Sequence, residues 1–232
     1  KAPRERVAHF MKRAYRRPPT PDEIDLYWGL YRQVRSAGAD DERAMRTVLQ
    51  GILSSPGFLY LLEGGQSDSG SRGRKSNSVR PLTDHELACR LSYFLWSSMP
   101  DEELTALADR GVLNDPVVIE QQVHRMLKNV RVRELSENFF VEWLHLRELW
   151  SAQPDARKFR DFYDGPKGKR TLARDMFCEP MLLFETILTE NRSVLELVDS
   201  DYTYVNDRLA KLYGIDAAVD SDQDWQRMSL RD

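Results

Sequence analysis

The chain has 232 residues, with 34 basic and 37 acidic side chains and a formal charge of −3. That balance leaves no basic footprint for nucleic acid and no polybasic anchor for a membrane surface. Hydrophobic residues are 41% of the chain, which excludes a disordered chain and supports one large domain or two small ones with real cores. No window approaches the roughly 18 apolar residues of a membrane span, and the basic start KAPRERVAHFMKRAYRR lacks a signal-peptide apolar run.

Helical periodicity dominates in chain order. Val7, Phe10, Met11 and Ala14 form one face of a first helix. Thr20-Pro21-Asp22-Glu23 is a capping box with proline at the first helical position. It opens a helix that buries Ile24, Tyr27, Trp28, Tyr31 and Val34 and stops at Gly38. Asp40 or Asp41 opens a third helix, with Met45, Val48, Leu49, Ile52 and Leu53 inward, ended by Ser54-Ser55-Pro56-Gly57. Three amphipathic helices with short connections predict an antiparallel bundle over residues 1–62. Residues 64–80 hold four glycines and five serines, so a flexible linker is expected over 63–80.

Thr83 and Glu86 form a second capping box. The helix they open has Leu87, Leu91, Phe94 and Leu95 on one side and Cys89, Tyr93 and Trp96 on the other. Apolar on both sides, it is expected to be the hub of a second domain over 81–198. Shorter helices follow at Asp101–Asp109 and after Asp115-Pro116. A long one is expected over about Val132–Trp150, with Leu135, Phe139, Trp143, Leu146 and Trp150 inward and Glu134, Asn138, Glu142 and His145 as its polar stripe. Arg170 to Asn191 reads as a helix kinked at Pro180, Ser193 caps a short turn, and Thr203–Tyr213 reads as a last helix ended by Gly214. No alternating strand pattern appears. The fold class is therefore all-α: a small antiparallel bundle joined by a flexible loop to a larger multi-helix domain.

The phrases RLSYFLWSSMPDEEL, HRMLKN, FFVEWLHLREL and ENRSVLELVDSDYTYVNDRLAKLYGI resemble the tandem domains of unknown function found in large secreted planctomycete proteins. KRAYRRPPTPDEI and VLQGILSSPGFLYLLE resemble the domain that precedes them there. The resemblance implies a preceding domain, a complete middle domain, and the start of a following domain over 199–232. It also implies export, to the periplasm or beyond the cell, and a cytochrome-c-like domain elsewhere in the polypeptide. The CxxCH of that domain is absent from this sequence, so haem c is expected only outside this chain, and no cofactor within it. The chain also departs from the family pattern at Phe177-Cys178-Glu179-Pro180. The family supplies no catalytic residues to carry over.

The site candidates each have a structural reading beside the functional one. Glu142-x-x-His145 has the spacing of di-metal carboxylate bundles, but only one such pair exists, so a solvated helix face competes. His85 and Cys89 stand four apart without further ligands. Asp199, Asp201 and Asn206 form an oxygen-rich turn that suits calcium or ordinary helix capping. Arg90 and Arg192 suit either a ligand carboxylate or a buried ion pair. Five tryptophans, Trp28, Trp96, Trp143, Trp150 and Trp225, suit core packing better than a carbohydrate platform. Cys89 and Cys178 read as buried free thiols, with a disulfide as the alternative in an exported chain.

The leading expectation is a non-catalytic structural or interaction region, partnered by other domains of the same polypeptide. An enzyme using Glu142 or Glu185 in an acidic cleft, on a small molecule or polysaccharide, is the rival. A metal-binding helical module comes third.

Overall fold

The structure, a computed structural model, describes residues 2–61, 63, 80–163, 172–215 and 225–230. The expected linker lies almost wholly outside the described residues. The chain is mostly helical and divides into two compact units, residues 1–94 with 98–123, and residues 95–97 with 124–232. Among the described residues no helix is long and apolar enough to cross a membrane.

In the first unit, α1 (Pro3–Tyr15), α2 (Pro21–Ser36), α3 (Asp41–Leu53) and the short α4 (Pro56–Leu59) surround one core. Val7, Met11, Ala14, Tyr31, Ala44, Val48 and Ile52 fill it. The Thr20–Glu23 capping box forms as expected: the Glu23 amide donates to Thr20 Oγ1 at 3.2 Å and the Thr20 amide to Glu23 Oε2 at 2.8 Å. Asp40 caps α3 by accepting from the Arg43 amide at 2.7 Å. Arg16 ends α1 in the left-handed conformation, φ 58°. From there its guanidinium donates to the Gly57, Phe58 and Tyr60 carbonyls and to the Tyr93 hydroxyl. Leu53 corrects the expected face of α3: it is 41% exposed, while the small Ala44 is buried.

The same unit holds α5 (Asp84–Trp96) up to Phe94, α6 (Glu102–Asp109), and α7 (Pro116–Leu127) as far as Val123. Asp84 accepts from the Leu113 amide at 2.6 Å and the Asn114 side chain at 2.5 Å, which fixes the corner after α6. Asp109 takes Lys12 Nζ at 2.5 Å on one oxygen and His85 Nε2 at 3.1 Å on the other. The expected hub face of α5 is corrected. Its buried row is Ala88, Ser92, Leu95 and Trp96; Leu87 and Leu91 are half-buried and Phe94 is 61% exposed. Leu95 and Trp96 supply the bulk of that row, while the small Ala88 and Ser92 suit close approach of neighbouring elements.

The second unit corrects the long helix over Val132–Trp150. A 3-10 turn (Val130–Val132) leads into α8 (Arg133–Leu135), a π turn (Ser136–Phe140), α9 (Val141–Trp143) and a second 3-10 turn (Leu146–Trp150). The π turn inserts an extra residue per turn and rotates everything after it. Phe140 and Val141 therefore go inward at 1% exposure each, while Phe139, Trp143 and Trp150 stand 46%, 53% and 56% exposed. Phe140 stacks on Phe184 with centroids 4.3 Å apart and planes 7° off parallel.

The short α10 (Arg160–Tyr163) precedes α11 (Leu172–Thr189), which contains Pro180, and α12 (Glu196–Asp199) follows. The last expected helix is also corrected. Tyr202–Val205 is strand β1, and α13 (Asp207–Tyr213) begins only after Asn206, whose Oδ1 accepts from the Leu209 amide at 3.0 Å. Strand β2 (Gln226–Ser229) pairs antiparallel with β1, Tyr202 opposite Ser229. A run of Tyr-Thr-Tyr-Val favours extended backbone once a partner strand exists. Leu172, Val205, Leu209 and Ala210 form the core here, with Trp225 and Met228 packed on it.

Candidate functional site

Three of the candidates, Glu142, Arg90 and Arg192, are held in ion pairs. The Glu142 carboxylate accepts from Arg147, its sequence neighbour beyond His145. His145 is the left-handed residue, φ 53°, that ends α9, and its amide donates to the Glu142 carbonyl at 3.2 Å. Arg90 is exposed rather than buried and grips Glu63 with two bonds of 2.6 and 2.7 Å. Glu185 sits half-buried on α11. Asp199 ends α12 and is exposed; the Asp201 backbone carbonyl accepts from the Leu230 amide at 2.7 Å. Among the described residues no group of three or more His, Cys, Asp or Glu is placed to hold a metal ion.

Cys89 and Cys178 are both free thiols, half-buried. Burial pushes the Cys89 thiol up to about 11, which keeps it protonated and removes it as a nucleophile near neutral pH. His85, four residues before it, is engaged with Asp109.

Arg192 anchors a polar cluster that single-residue reasoning did not reach. It donates to Glu196 at 2.6 Å and to Glu190 at 3.2 Å, and Arg227 of β2 also reaches Glu190. Both guanidiniums lie over the Tyr202 ring, at 5.0 and 3.7 Å from its centroid. The Tyr202 hydroxyl donates to Glu196 at 3.0 Å. The hydrogen bond from Arg192 holds the Glu196 carboxyl below its ordinary range. Two arginines and two glutamates leave this cluster neutral, and its geometry ties β2 to β1. A second missed network lies along α11. Arg208 donates to buried Asp175 at 3.0 Å, while Thr203 and Tyr213 donate to Glu179 at 2.5 and 2.6 Å. Burial and then Glu179 push the Tyr213 hydroxyl up, so it stays a donor.

The 138–151 segment exposes several large side chains. Phe139 and Trp143 are stacked 5.8 Å apart with planes 27° off parallel, and Trp150 packs on Phe177 at 5.4 Å. This corrects the assignment of Trp143 and Trp150 to the core, whereas Trp96 is buried and Trp28 stacks on Tyr31. In the same segment an open groove of about 720 Å³ is lined by Leu144, His145, Leu146, Glu148, Leu149 and Ser151 and by none of these rings. Among the described residues no side-chain partner engages His145 or Glu148. Glu148 carried no motif in the sequence; it enters the groove only because the chain turns into a 3-10 segment after His145.

Comparison with known proteins places residues 82–215 in a family described as "Protein of unknown function (DUF1592)". That match spans more than half of the chain. The chain belongs to this family. Residues 2–63 match a second one, "Protein of unknown function (DUF1595)". No curated protein and no solved structure matches. The first unit thus combines the DUF1595 segment with the first helices of the DUF1592 segment, and the aromatic face and groove lie in the DUF1592 segment.

Proposed function

We propose that this chain is a non-catalytic binding and structural region of an exported, multidomain polypeptide whose haem c resides in another domain. The observation that supports this is the exposure of Phe139, Trp143 and Trp150, three large aromatic side chains of one short segment. Exposed clusters of large aromatic side chains mark interaction surfaces, because leaving them in water forgoes burial worth about 25 cal/mol per Å². Of the two carboxylates that an enzyme would use, Glu142 is paired with Arg147 and Glu185 lies half-buried on α11, and Cys89 is held as the thiol. Export and the cytochrome association follow from the resemblance in the phrases over 90–104 and 190–215. The other domains of the polypeptide are partners by covalent linkage, and the aromatic face is what this region offers to a further partner.

The test is fractionation of cells that carry the full-length protein. It should appear outside the cytoplasm and be retained by the cell envelope or surrounding matrix. A Trp143→Ala, Trp150→Ala double variant should be released into the soluble exported fraction, and Glu142→Gln and Glu185→Gln should leave retention unchanged. Cytoplasmic protein, or retention and cellular function lost only in the carboxylate variants, would overturn the reading in favour of an enzyme.

A further inference from the structure

We infer that the α1–α4 bundle is joined to α5 and α6 by a reversible polar latch, a joint that opens while the elements on either side stay folded. The bundle closes its core on itself. The buried cluster of Val7, Met11, Val48, Ile52 and their neighbours, with the half-buried side chains packed against it, comes wholly from residues 7–58. Among the described residues no side chain of α5, α6 or α7 enters that cluster. The two family matches divide at the same place, residues 2–63 on one side and 82–215 on the other. Segments with separate cores are free to move relative to one another unless a large apolar interface forbids it.

Hydrogen bonds and ion pairs cross this joint. His85, Cys89 and Tyr93 stand four residues apart, so they share one face of α5. The Tyr93 hydroxyl accepts from the Arg16 guanidinium at 3.2 Å, and Cys89 Sγ lies 3.9 Å from the Arg16 carbonyl oxygen. Asp109, at the end of α6, accepts from Lys12 Nζ at 2.5 Å and meets His85 Nε2 at 3.1 Å. Arg90 grips Glu63 at 2.6 and 2.7 Å. The fully buried row of α5, Ala88, Ser92, Leu95 and Trp96, lies on another face. The charged pairs are partly solvated: Lys12 and Asp109 are each 34% exposed, Arg90 58% and Glu63 39%. Pairs in that setting hold weakly, and salt screens them as the Debye length falls from about 10 Å at 0.1 M to about 3 Å at 1 M. A joint made of such ties opens before a core held by apolar burial does. Opening withdraws Arg16 from the half-buried Cys89, which makes that thiol the reporter of the latch.

Thiol labelling of the full chain with the neutral reagent dithiodipyridine, at fixed pH, tests this. Cys178→Ser leaves Cys89 as the sole thiol, and Cys89→Ser leaves Cys178, on α11 of the second unit, as the comparison. Cys89 should label about twofold faster or more in 1 M than in 0.1 M sodium chloride, the scale of losing one or two exposed ion pairs, and Cys178 should not. Lys12→Glu sets a like charge against Asp109 and should speed Cys89 labelling by about twofold or more at 0.1 M salt. Adding Asp109→Asn removes that repulsion and should slow it again. Both changes run against the direct effect of charge on the thiol, since an added carboxylate favours the protonated form and a removed one favours the thiolate. Circular dichroism checks that each variant is folded. Acceleration below twofold by salt or by Lys12→Glu, Cys178 accelerating together with Cys89, or no slowing on adding Asp109→Asn would overturn the latch.

Discussion

Trp96→Phe measures how much one buried indole holds the second unit together. Trp96 is 2% exposed. Its Nε1–H donates to the Met126 carbonyl at 3.1 Å, and Arg125 and Arg131 lie over its ring at 5.6 and 5.2 Å. Phenylalanine removes roughly two methylene equivalents of buried apolar surface, about 1.5 kcal/mol. It removes one hydrogen bond, about 1 kcal/mol. The Met126 carbonyl keeps the Asn129 amide at 3.1 Å, so no penalty for an orphaned acceptor is added. A weaker cation–π pairing adds about 0.5 kcal/mol. The expected loss is about 3 kcal/mol, read as a lower urea midpoint with unchanged slope by far-ultraviolet circular dichroism. Leu91→Ala, at a half-buried position on the same helix, should cost less than Trp96→Ala, for which about 3–5 kcal/mol is expected. A loss below about 1 kcal/mol for Trp96→Phe, or Leu91→Ala proving the costlier alanine, would refute this account of α5.

Three further outcomes follow from particular contacts. Ser136 is fully buried at the start of the π turn and its hydroxyl has no partner among the described residues; Ser136→Ala should therefore raise stability by about 1 kcal/mol in urea unfolding, and a loss would mean that the hydroxyl is satisfied by something bound. A Cβ added at Gly57 would meet the Tyr15 ring at 3.1 Å, and that ring is pinned by Ser55 through its hydroxyl; Gly57→Ala should cost about 1–3 kcal/mol, with a neutral midpoint showing that the ring can swing away. Hydrogen bonds from Arg17 hold the Glu23 carboxyl below its ordinary 4.5; the stability it contributes is present above that value and is lost as pH falls through the lower folded value. Acid titration of urea midpoints should slope downward there, and Glu23→Gln should flatten the slope; an unchanged slope would assign the acid sensitivity to other carboxylates.

What was legible in the sequence is what local chemistry determines. Helix starts at Thr20, Asp40, Thr83 and Asp101 were readable because a capping side chain lies within three residues of the amide it serves. The stop at Gly214 was readable for the same reason, since a left-handed φ of 69° there favours glycine. The failures are non-local. β1 pairs with a strand more than twenty residues later, so Thr203–Val205 read as the start of the last helix. The π turn at Ser136–Phe140 leaves no mark in residue type, yet it exchanges Phe139 for Phe140 in the core. Cross-element ties such as Asp109 with Lys12 and His85 depend on helices far apart in sequence meeting in one unit.

The same π turn links the fold to the proposed function. With regular α-helical periodicity through Ser136–Phe140, the residues expected inward were Leu135, Phe139, Trp143, Leu146 and Trp150, one continuous apolar stripe. The extra residue in the turn shifts the register after Leu135, so Phe140 takes the inward place against Phe184, Phe139, Trp143 and Trp150 stand exposed, and Leu146 is half-buried. The left-handed residue His145 then turns the chain into the 3-10 segment that brings Glu148 into the groove. Two local departures from α-helix, six residues wide or less, thus convert what the sequence presents as core into the one aromatic surface on which the binding reading rests. Deleting Glu137 removes the extra residue, so Phe140 stands four residues after Leu135, keeps the inward place and leaves Trp143 outward. Envelope retention and a helix-dominated circular dichroism spectrum should both survive that deletion, and retention lost with the helical spectrum kept would refute the register account.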